Sequence, residues 1–330
     1  MIEALKIARA SIPPCLPPFW ARNGHLQTLL GHLIPSATLS DKGEEFLIDL
    51  ENENERIHTT YFQGSTSTVV YLFHGLGGSA DSSYMQRTAI VAKSLGHHVL
   101  ISNHRGCGLG VGQASRAYHS GRSEDLSTVI AFGRNMLPDH FHLAIGFSLS
   151  ANALLLLSAN VRANVLPDAA IAVNGPIHLD RASNKLTEGL NRIYDKRFVV
   201  ELTEYIKKNR PQDLERLRNV KTLRDFDESL TAPVGGFLNR DNYYETCSAM
   251  KYLKDIQIPT VLLTSEDDPF VGVEAYKEAK LSPSIVLHIE KMGGHMGYLS
   301  RDGIRFERWL DRALSTYVQA FSGNCSRIFS

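Results

Sequence analysis

The peptide GFSLS, Gly146 to Ser150, sets a serine between small residues two places before and two places after it. It ends an apolar run, FHLAIGFS, and opens an alanine- and leucine-rich pattern, SANALLLLSANV. A strand that turns this sharply into a helix crowds its own backbone. Small flanking residues relieve the crowding, and the central hydroxyl of Ser148 is pushed out at the strand's C-terminal end. A serine at a helix start is often only a cap, so the reading depends on partners. A hydroxyl is a poor nucleophile near neutral pH and needs a histidine base oriented by a carboxylate, here expected in the chain order serine, acid, histidine. Both follow. VLLTSEDDP ends in Asp267 and Asp268, and SIVLHIEKMGGHMG ends in His295 among glycines.

Of the two adjacent acids, Asp268 is the expected orienting group. It stands three residues after Ser265, and Pro269 behind it fixes φ and removes a competing donor. Asp267 is expected to cap the turn. Acyl transfer also develops an oxyanion, which needs two backbone N–H donors. Leu149, directly after the serine, supplies one, and Leu76 in the glycine-rich HGLGG supplies the other. A phosphate loop is excluded at HGLGG because no G-K-[ST] follows.

These residues need a sheet to bring them together. From about residue 66, short β-branched runs alternate with helical patterns, the signature of βαβ units and a mostly parallel sheet. TVVYLFHG, HHVLISNHRG, FHLAIGFS, AAIAVNGP, PTVLLTSEDDP and SIVLHIEKMGG read as strands. YMQRTAIVAKSLG, SEDLSTVIAFGRNML with Ser123 as N-cap, SANALLLLSANV and VEAYKEAKL read as helices, and GIRFERWLDRALSTYVQAF closes the chain as an amphipathic helix. EEFLIDLEN and ERIHTTYFQ alternate as an antiparallel hairpin on the sheet edge.

Three regions follow: an arm over 1–40, a core over 41–175 and 249–330, and a helical cap inserted over 176–248. The prolines between Pro13 and Pro18 predict an extended arm across the surface. The cap is charged and without strand pattern, too long for an ordinary loop. Its Leu186, Leu190, Tyr194 and Phe198 fall at helical spacing, and Tyr194 and Phe198 are candidate substrate contacts lining an acyl pocket.

Composition limits the partners. The chain has 330 residues, 43% hydrophobic, with 35 basic and 35 acidic side chains, so it has no basic field for nucleic acid or anionic membrane. A small-molecule ester is the expected partner. No window approaches a membrane span and the N-terminus lacks a signal's apolar region, so no stable membrane anchor is expected. Cys15, Cys107, Cys247 and Cys325 are scattered without metal spacing, which predicts free thiols and a cytoplasmic protein. His97, His98, His104 and His119 lack the spacing of a metal site and read as solvated or core residues. Arg105, Glu124 and Asp125 read as a structural ion-pair group rather than substrate contacts. His25 and Gln27 of the arm carry either reading, and Cys107 has no nearby base.

The motifs NGHLQTLL, HGLGG, NHRGCG, YHSGRSEDL, GFSLSAN, RDFDE, YYETCSA, SEDDPF and GGHMG together resemble the YheT-like branch of the α/β-hydrolase superfamily over nearly the whole chain. That resemblance implies an α/β-hydrolase fold with a cap, carboxylic ester hydrolysis, no cofactor, and Ser148, Asp268 and His295 as a triad. Two positions depart from the pattern: Ser150 replaces a usual glycine, and Gly272 stands where a proline often follows the acidic turn. The expected activity is a serine esterase acting through an acyl-enzyme. The alternatives are an acyltransferase using the same triad and a binding protein on a hydrolase scaffold.

Overall fold

The computed structural model describes residues 1–50, 54–302 and 305–325. Among the described residues ten strands are formed: β1 (Glu44–Leu50), β2 (Glu55–Phe62), β3 (Thr68–Phe73), β4 (His98–Ser102), β5 (Phe141–Phe147), β6 (Ala169–Val173), β7 (Thr260–Ser265), β8 (Ile285–Glu290), β9 (Leu299–Asp302) and β10 (Arg305–Arg308). The first eight make one sheet in the order β1-β2-β4-β3-β5-β6-β7-β8, and β9 and β10 pair separately. β1, β2 and β4 pair antiparallel in turn, and every pairing from β4 through β8 is parallel.

The pattern of β3 explains the layering. Val70 and Leu72 face a core shared with α1 (Ile2–Ser11), α3 (Ser83–Ser94) and α12 (Trp309–Cys325), while Val69, Tyr71 and Phe73 face a second core with α4 (Ser123–Met136) and α5 (Leu149–Ser158). Alternate residues of a strand point to opposite faces, so a strand covered on both sides is apolar throughout. Between β6 and β7 the chain leaves the sheet and forms α6 (Leu179–Leu186), α7 (Arg192–Asn209), α8 (Leu223–Phe226), α9 (Ala232–Val234) and α10 (Arg240–Cys247). Leu202, Ile206 and Phe226 of these helices cluster with Leu149, the first residue of α5 just past β5, so the helices stand over the strand ends. α11 (Val273–Glu278) follows β7.

Several expectations need correction. The arm is not extended throughout: Leu5, Ala8 and Ile12 form an apolar stripe that packs on the α12 side of the core, and α2 (Gly24–Leu33) is a second helix. The prolines confine the extended stretch to the link between them. Ser123 is inside α4 rather than its cap. Arg122 holds the cap position, and the Ser123 hydroxyl donates to Val161 O at 2.6 Å. The final helix begins only at Trp309, because Leu299–Arg308 turns back as the β9–β10 hairpin. Leu190 does not face a pocket; it is 65% exposed. Glu51 and Asn52 of the first expected strand, Gly303 and Ile304 of the last expected helix, and the end of the expected core range at 326–330 lie outside the described residues.

Candidate active site

Ser148 follows β5 with φ 52° and ψ −117°, a backbone conformation that costs a non-glycine residue of the order of 1–3 kcal/mol and persists only where its surroundings hold it. The holding contacts are visible. Ser148 N–H donates to Val173 O at 2.8 Å, and a Cβ at Gly146 would lie 2.6 Å from Ser150 O, so only glycine lets the turn close. Ser150, the departure from the usual glycine, is fully buried. Its hydroxyl donates to His74 O and accepts from His104 Nε2 at 2.6 Å. The extra hydroxyl therefore ties the turn to the HGLGG loop.

That loop is held from below by neutral imidazoles. His104 N–H donates to His74 Nε2 at 3.0 Å, which leaves the His74 proton on Nδ1, donated to Gly75 O at 2.7 Å. Burial holds His74 well below the usual histidine range and pushes His104 down to about 4. Gly75 N–H donates to Tyr84 Oη at 2.9 Å and Gly77 N–H to Tyr118 Oη at 3.0 Å. Among the described residues the Leu76 and Leu149 N–H groups have no hydrogen-bond acceptor. Gly75 comes so close that a Cβ there would meet Ser148 Cβ at 3.0 Å.

On the other side, His295 Nε2 lies 3.0 Å from Ser148 Oγ, and His295 Nδ1 lies 2.8 Å from Asp268 Oδ2. A carboxylate only accepts, so Nδ1 carries the proton and Nε2 presents its lone pair to the serine. Asp268 is buried and its oxygens are fully used. Oδ1 accepts from Phe270 N at 3.1 Å and Val271 N at 2.8 Å, and Oδ2 also accepts from Asn174 Nδ2 at 2.8 Å. Asp267 turns away and accepts from Gly293 N and Gly294 N, both at 2.8 Å, so it grips the loop that carries His295.

Helix α2 closes on the same loop. Thr28 Oγ1 accepts from His295 N at 2.8 Å and donates to Gly24 O at 2.7 Å. Gln27 donates to Ala21 O and Leu299 O and accepts from Leu299 N at 2.6 Å. A Cβ at Gly24 would lie 1.7 Å from Asp267 O, and one at Gly31 would lie 2.5 Å from Gly297 Cα. Gln27 is thus a structural clamp, and His25 stacks on Tyr194 with ring centroids 5.8 Å apart.

Two cavities meet at Ser148. One of about 180 Å³ opens outward past Leu29, His32, Tyr194, Arg197, Phe198 and Glu201. The other, about 80 Å³, runs inward between Leu149, Leu186, Phe198, Leu223, Tyr244 and Phe270. Phe198 lines both, whereas Tyr194 touches only the outer one. Asp227 closes the inner cavity, where burial pushes its carboxyl up to about 6 and Tyr244 Oη donates to it at 2.7 Å. A larger cavity, about 770 Å³, lies apart between His178, Arg224 and Lys280 and touches none of Ser148, Asp268 or His295.

The remaining polar candidates are structural. Arg105 is buried between Glu55 and Asp125, with Nη2 2.6 Å from Asp125 Oδ1, while Glu124 pairs with Arg122 at 3.2 Å. His97, His98 and His119 bond to Thr66, Tyr61 and Gly121. The Cys107 thiol is pushed up to about 12 by burial. Asn174, Phe270 and Thr28 were not singled out by sequence reading. Asn174, with φ 49° after β6, had a visible signal in the Asn-Gly pair of AAIAVNGP, while Phe270, whose ring lies 4.1 Å from that of His295, had only its place in SEDDPF.

A mostly parallel sheet that presents a serine on a strained turn after its fifth strand, with an acid and a histidine after the seventh and eighth, defines the α/β-hydrolase class of proteins. A family model described as "alpha/beta hydrolase fold" matches residues 68–302. YheT of Escherichia coli (strain K12) is 30% identical over 264 residues, covering 76% of this chain and 77% of that protein. Phospholipase ABHD3 of Homo sapiens is 28% identical over 322 residues, covering 92% and 78%. The Pyrococcus furiosus esterase Pf2001 superposes with a TM-score of 0.54 at 17% identity over 80% of this chain and 89% of that one, a likeness of fold. The chain belongs to the α/β-hydrolase family, in its YheT-like branch, a group of esterase- and lipase-type hydrolases.

Proposed function

We propose that this chain is a serine hydrolase that cleaves a carboxylic ester through an acyl-enzyme. The observation that carries the reading is the continuous chain of hydrogen bonds from Ser148 Oγ through His295 to Asp268. Ser148 Oγ attacks the ester carbonyl carbon as His295 Nε2 takes its proton, and Asp268 orients the imidazole and stabilises its charged form. The Leu76 and Leu149 N–H groups hold the oxyanion. Collapse of the tetrahedral species expels the alcohol, which receives the proton from His295. A water then repeats the sequence on the acyl-enzyme and releases the acid. The chemistry uses side chains and backbone alone, without a cofactor.

The apolar lining of the inner cavity suits a short to medium, lipid-like acyl chain, with Phe198 at its neck and the alcohol leaving through the outer cavity past Tyr194. In this reading 176–248 is the cap that shapes the acyl pocket, 41–175 with 249–330 is the catalytic core, and the arm over 1–40 supports the histidine loop. Among the described residues no helix is long and apolar enough to cross a membrane. The buried free thiols of Cys15, Cys107 and Cys247 support a reducing, cytoplasmic setting. Ser148→Ala is expected to lower hydrolysis of p-nitrophenyl esters by on the order of 10⁴-fold or more and to end labelling by a fluorophosphonate. Unchanged turnover in the purified variant would sink the mechanism. A chain-length series on the wild type reads the acyl pocket directly.

A further inference from the structure

Helix α2 is amphipathic the wrong way round. A surface helix ordinarily turns its apolar stripe to the core and its polar face to water. Here Gly24, Gln27 and Gly31 are buried against the histidine loop, while Leu26 and Leu29 are each 37% exposed and Leu33 is 68% exposed. The inversion has a cause: the inner face must approach the backbone of 293–297 so closely that only small or hydrogen-bonding residues fit. That explains the buried side and leaves the leucine stripe unexplained.

The stripe is part of a larger face. Just before α2, Phe19 is 79% exposed and Trp20, stacked on Phe306 at 6.2 Å, is 40% exposed. Arg197 of α7 meets His32 of α2 at 2.9 Å, so the two helices form neighbouring rims of the outer cavity. On α7 the exposed Ile193 and Val200 alternate with the exposed cations Arg192, Lys196 and Arg197. Of these cations Arg197 is already paired with Glu201; Lys207 pairs with Glu204 and Asp195 is buried, so among the described residues Arg192 and Lys196 are the cations of this face that hold no ion pair, and Glu188 is an exposed acid just before the helix. Exposed apolar side chains gathered on neighbouring elements are the composition of an interaction surface.

We propose that this face, built from α2, the Phe19–Trp20 turn and the outer side of α7, docks the protein onto an anionic lipid bilayer and sets the mouth of the outer cavity against it. The chain as a whole has no basic field, so the contact rests on the apolar side chains with local help from Arg192 and Lys196: leucines and aromatics beside two cations match the interfacial zone of such a surface, where apolar side chains enter the acyl boundary and basic ones meet headgroups. A protein partner on the same face would close the cavity to substrate. A lipid surface instead offers an apolar ester to it, with Leu29 lining the way in. The delivery step rests on the ester-hydrolase reading; the binding itself does not.

The test is flotation of the full chain with vesicles of phosphatidylcholine and phosphatidylserine, and with phosphatidylcholine alone. Wild type is expected to float with the anionic vesicles. Leu26→Gln/Leu33→Gln is expected to weaken binding about tenfold or more, and Arg192→Glu/Lys196→Glu to lower binding about tenfold on anionic vesicles alone. Both double variants are expected to hydrolyse soluble p-nitrophenyl acetate at the wild-type rate. Failure of the wild type to float, or wild-type binding by both variants, would overturn the proposal. So would a wild-type dimer that the leucine variant turns into a monomer, because a second copy would then be the occupant. Ser148→Ala separates the two readings: it is expected to float like wild type, and vesicle binding by a wild type that hydrolyses no ester would remove the active-site reading while supporting the docking face.

Discussion

The two halves of the site are held in different ways. The nucleophile half, from HGLGG to GFSLS, is fastened inside the sheet by a buried side-chain network: His74, His104 and Ser150 bond to one another beneath the loop. The histidine half is fastened from outside. The loop carrying His295 rests on Asp267 from the neighbouring strand end and on an N-terminal helix that meets it through glycines, Gln27 and Thr28. One half is fixed by burial and neutral donors, the other by close backbone approach. The first should therefore respond to acid and the second to side-chain bulk.

The sharpest way to break the histidine half is at its acids. Asp268→Asn should keep the shape but allow the wrong imidazole tautomer, costing on the order of 10⁴ in kcat. Asp267→Asn keeps an oxygen for Gly293 and Gly294 and should cost far less. Steady-state kinetics on both purified variants decides, and the reverse ranking would pass the orienting role to Asp267.

Next in size is the clamp. Gly31→Val forces a side chain into the backbone at Gly297 and should lower kcat by about 10²-fold, the cost expected of a catalytic group displaced by roughly 1 Å. Thr28→Val removes the acceptor for His295 N and should cost about tenfold in kcat with KM nearly unchanged, while Thr28→Ser restores the rate. If Thr28→Val is labelled by fluorophosphonate as fast as wild type, the arm holds the fold and not the base.

The smallest effect concerns pH and stability. His104 is held down to about 4, so between pH 6.5 and 4 the unfolded chain takes up a proton that the folded one refuses, and stability falls as the solution is acidified. His74 acts in the same direction. Asp227 has the opposite sign. With its carboxyl pushed up to about 6, the folded state is favoured while that group is protonated and loses the advantage as pH rises from 3.8 to 6. Asp227→Asn still accepts from Tyr244, and should gain about 1–3 kcal/mol at pH 8, shrinking toward nothing at pH 4. Thermal midpoints at the two pH values measure it; an equal shift at both would mean the carboxyl is not the cause.

Legibility followed the same division. Ser148, Asp268 and His295 could be singled out because each stands just past a strand whose apolar run is plain, and a strand end is a place that sequence marks. The clamp could not be read. Gly24 and Gly31 are ordinary small residues until their partners at Asp267 and Gly297 are known, more than two hundred positions away. The helix α1 was hidden by the prolines that follow it, since the breaker signal of Pro13–Pro18 outweighed a short Leu5–Ala8–Ile12 stripe. The β9–β10 hairpin was lost to the helical periodicity of the segment after it. The role of Ser150 was also beyond reach, because its value lies in a bond to His74 at the end of the neighbouring strand β3, 76 positions away in the chain.

The span of the clamp bears on synthesis. Thr28 and His295 are 267 residues apart in the chain, whereas the nucleophile turn is complete once β6 has been made. A ribosome releases the N-terminal helix long before the loop it must grip exists. Until then α2 has its leucines exposed on one side and its small-residue face unfilled on the other. The growing chain therefore carries its serine without a base from the making of β6 until the histidine loop is made, and the ability to react arrives when a helix that precedes the sheet grips a loop that follows the sheet's last strand.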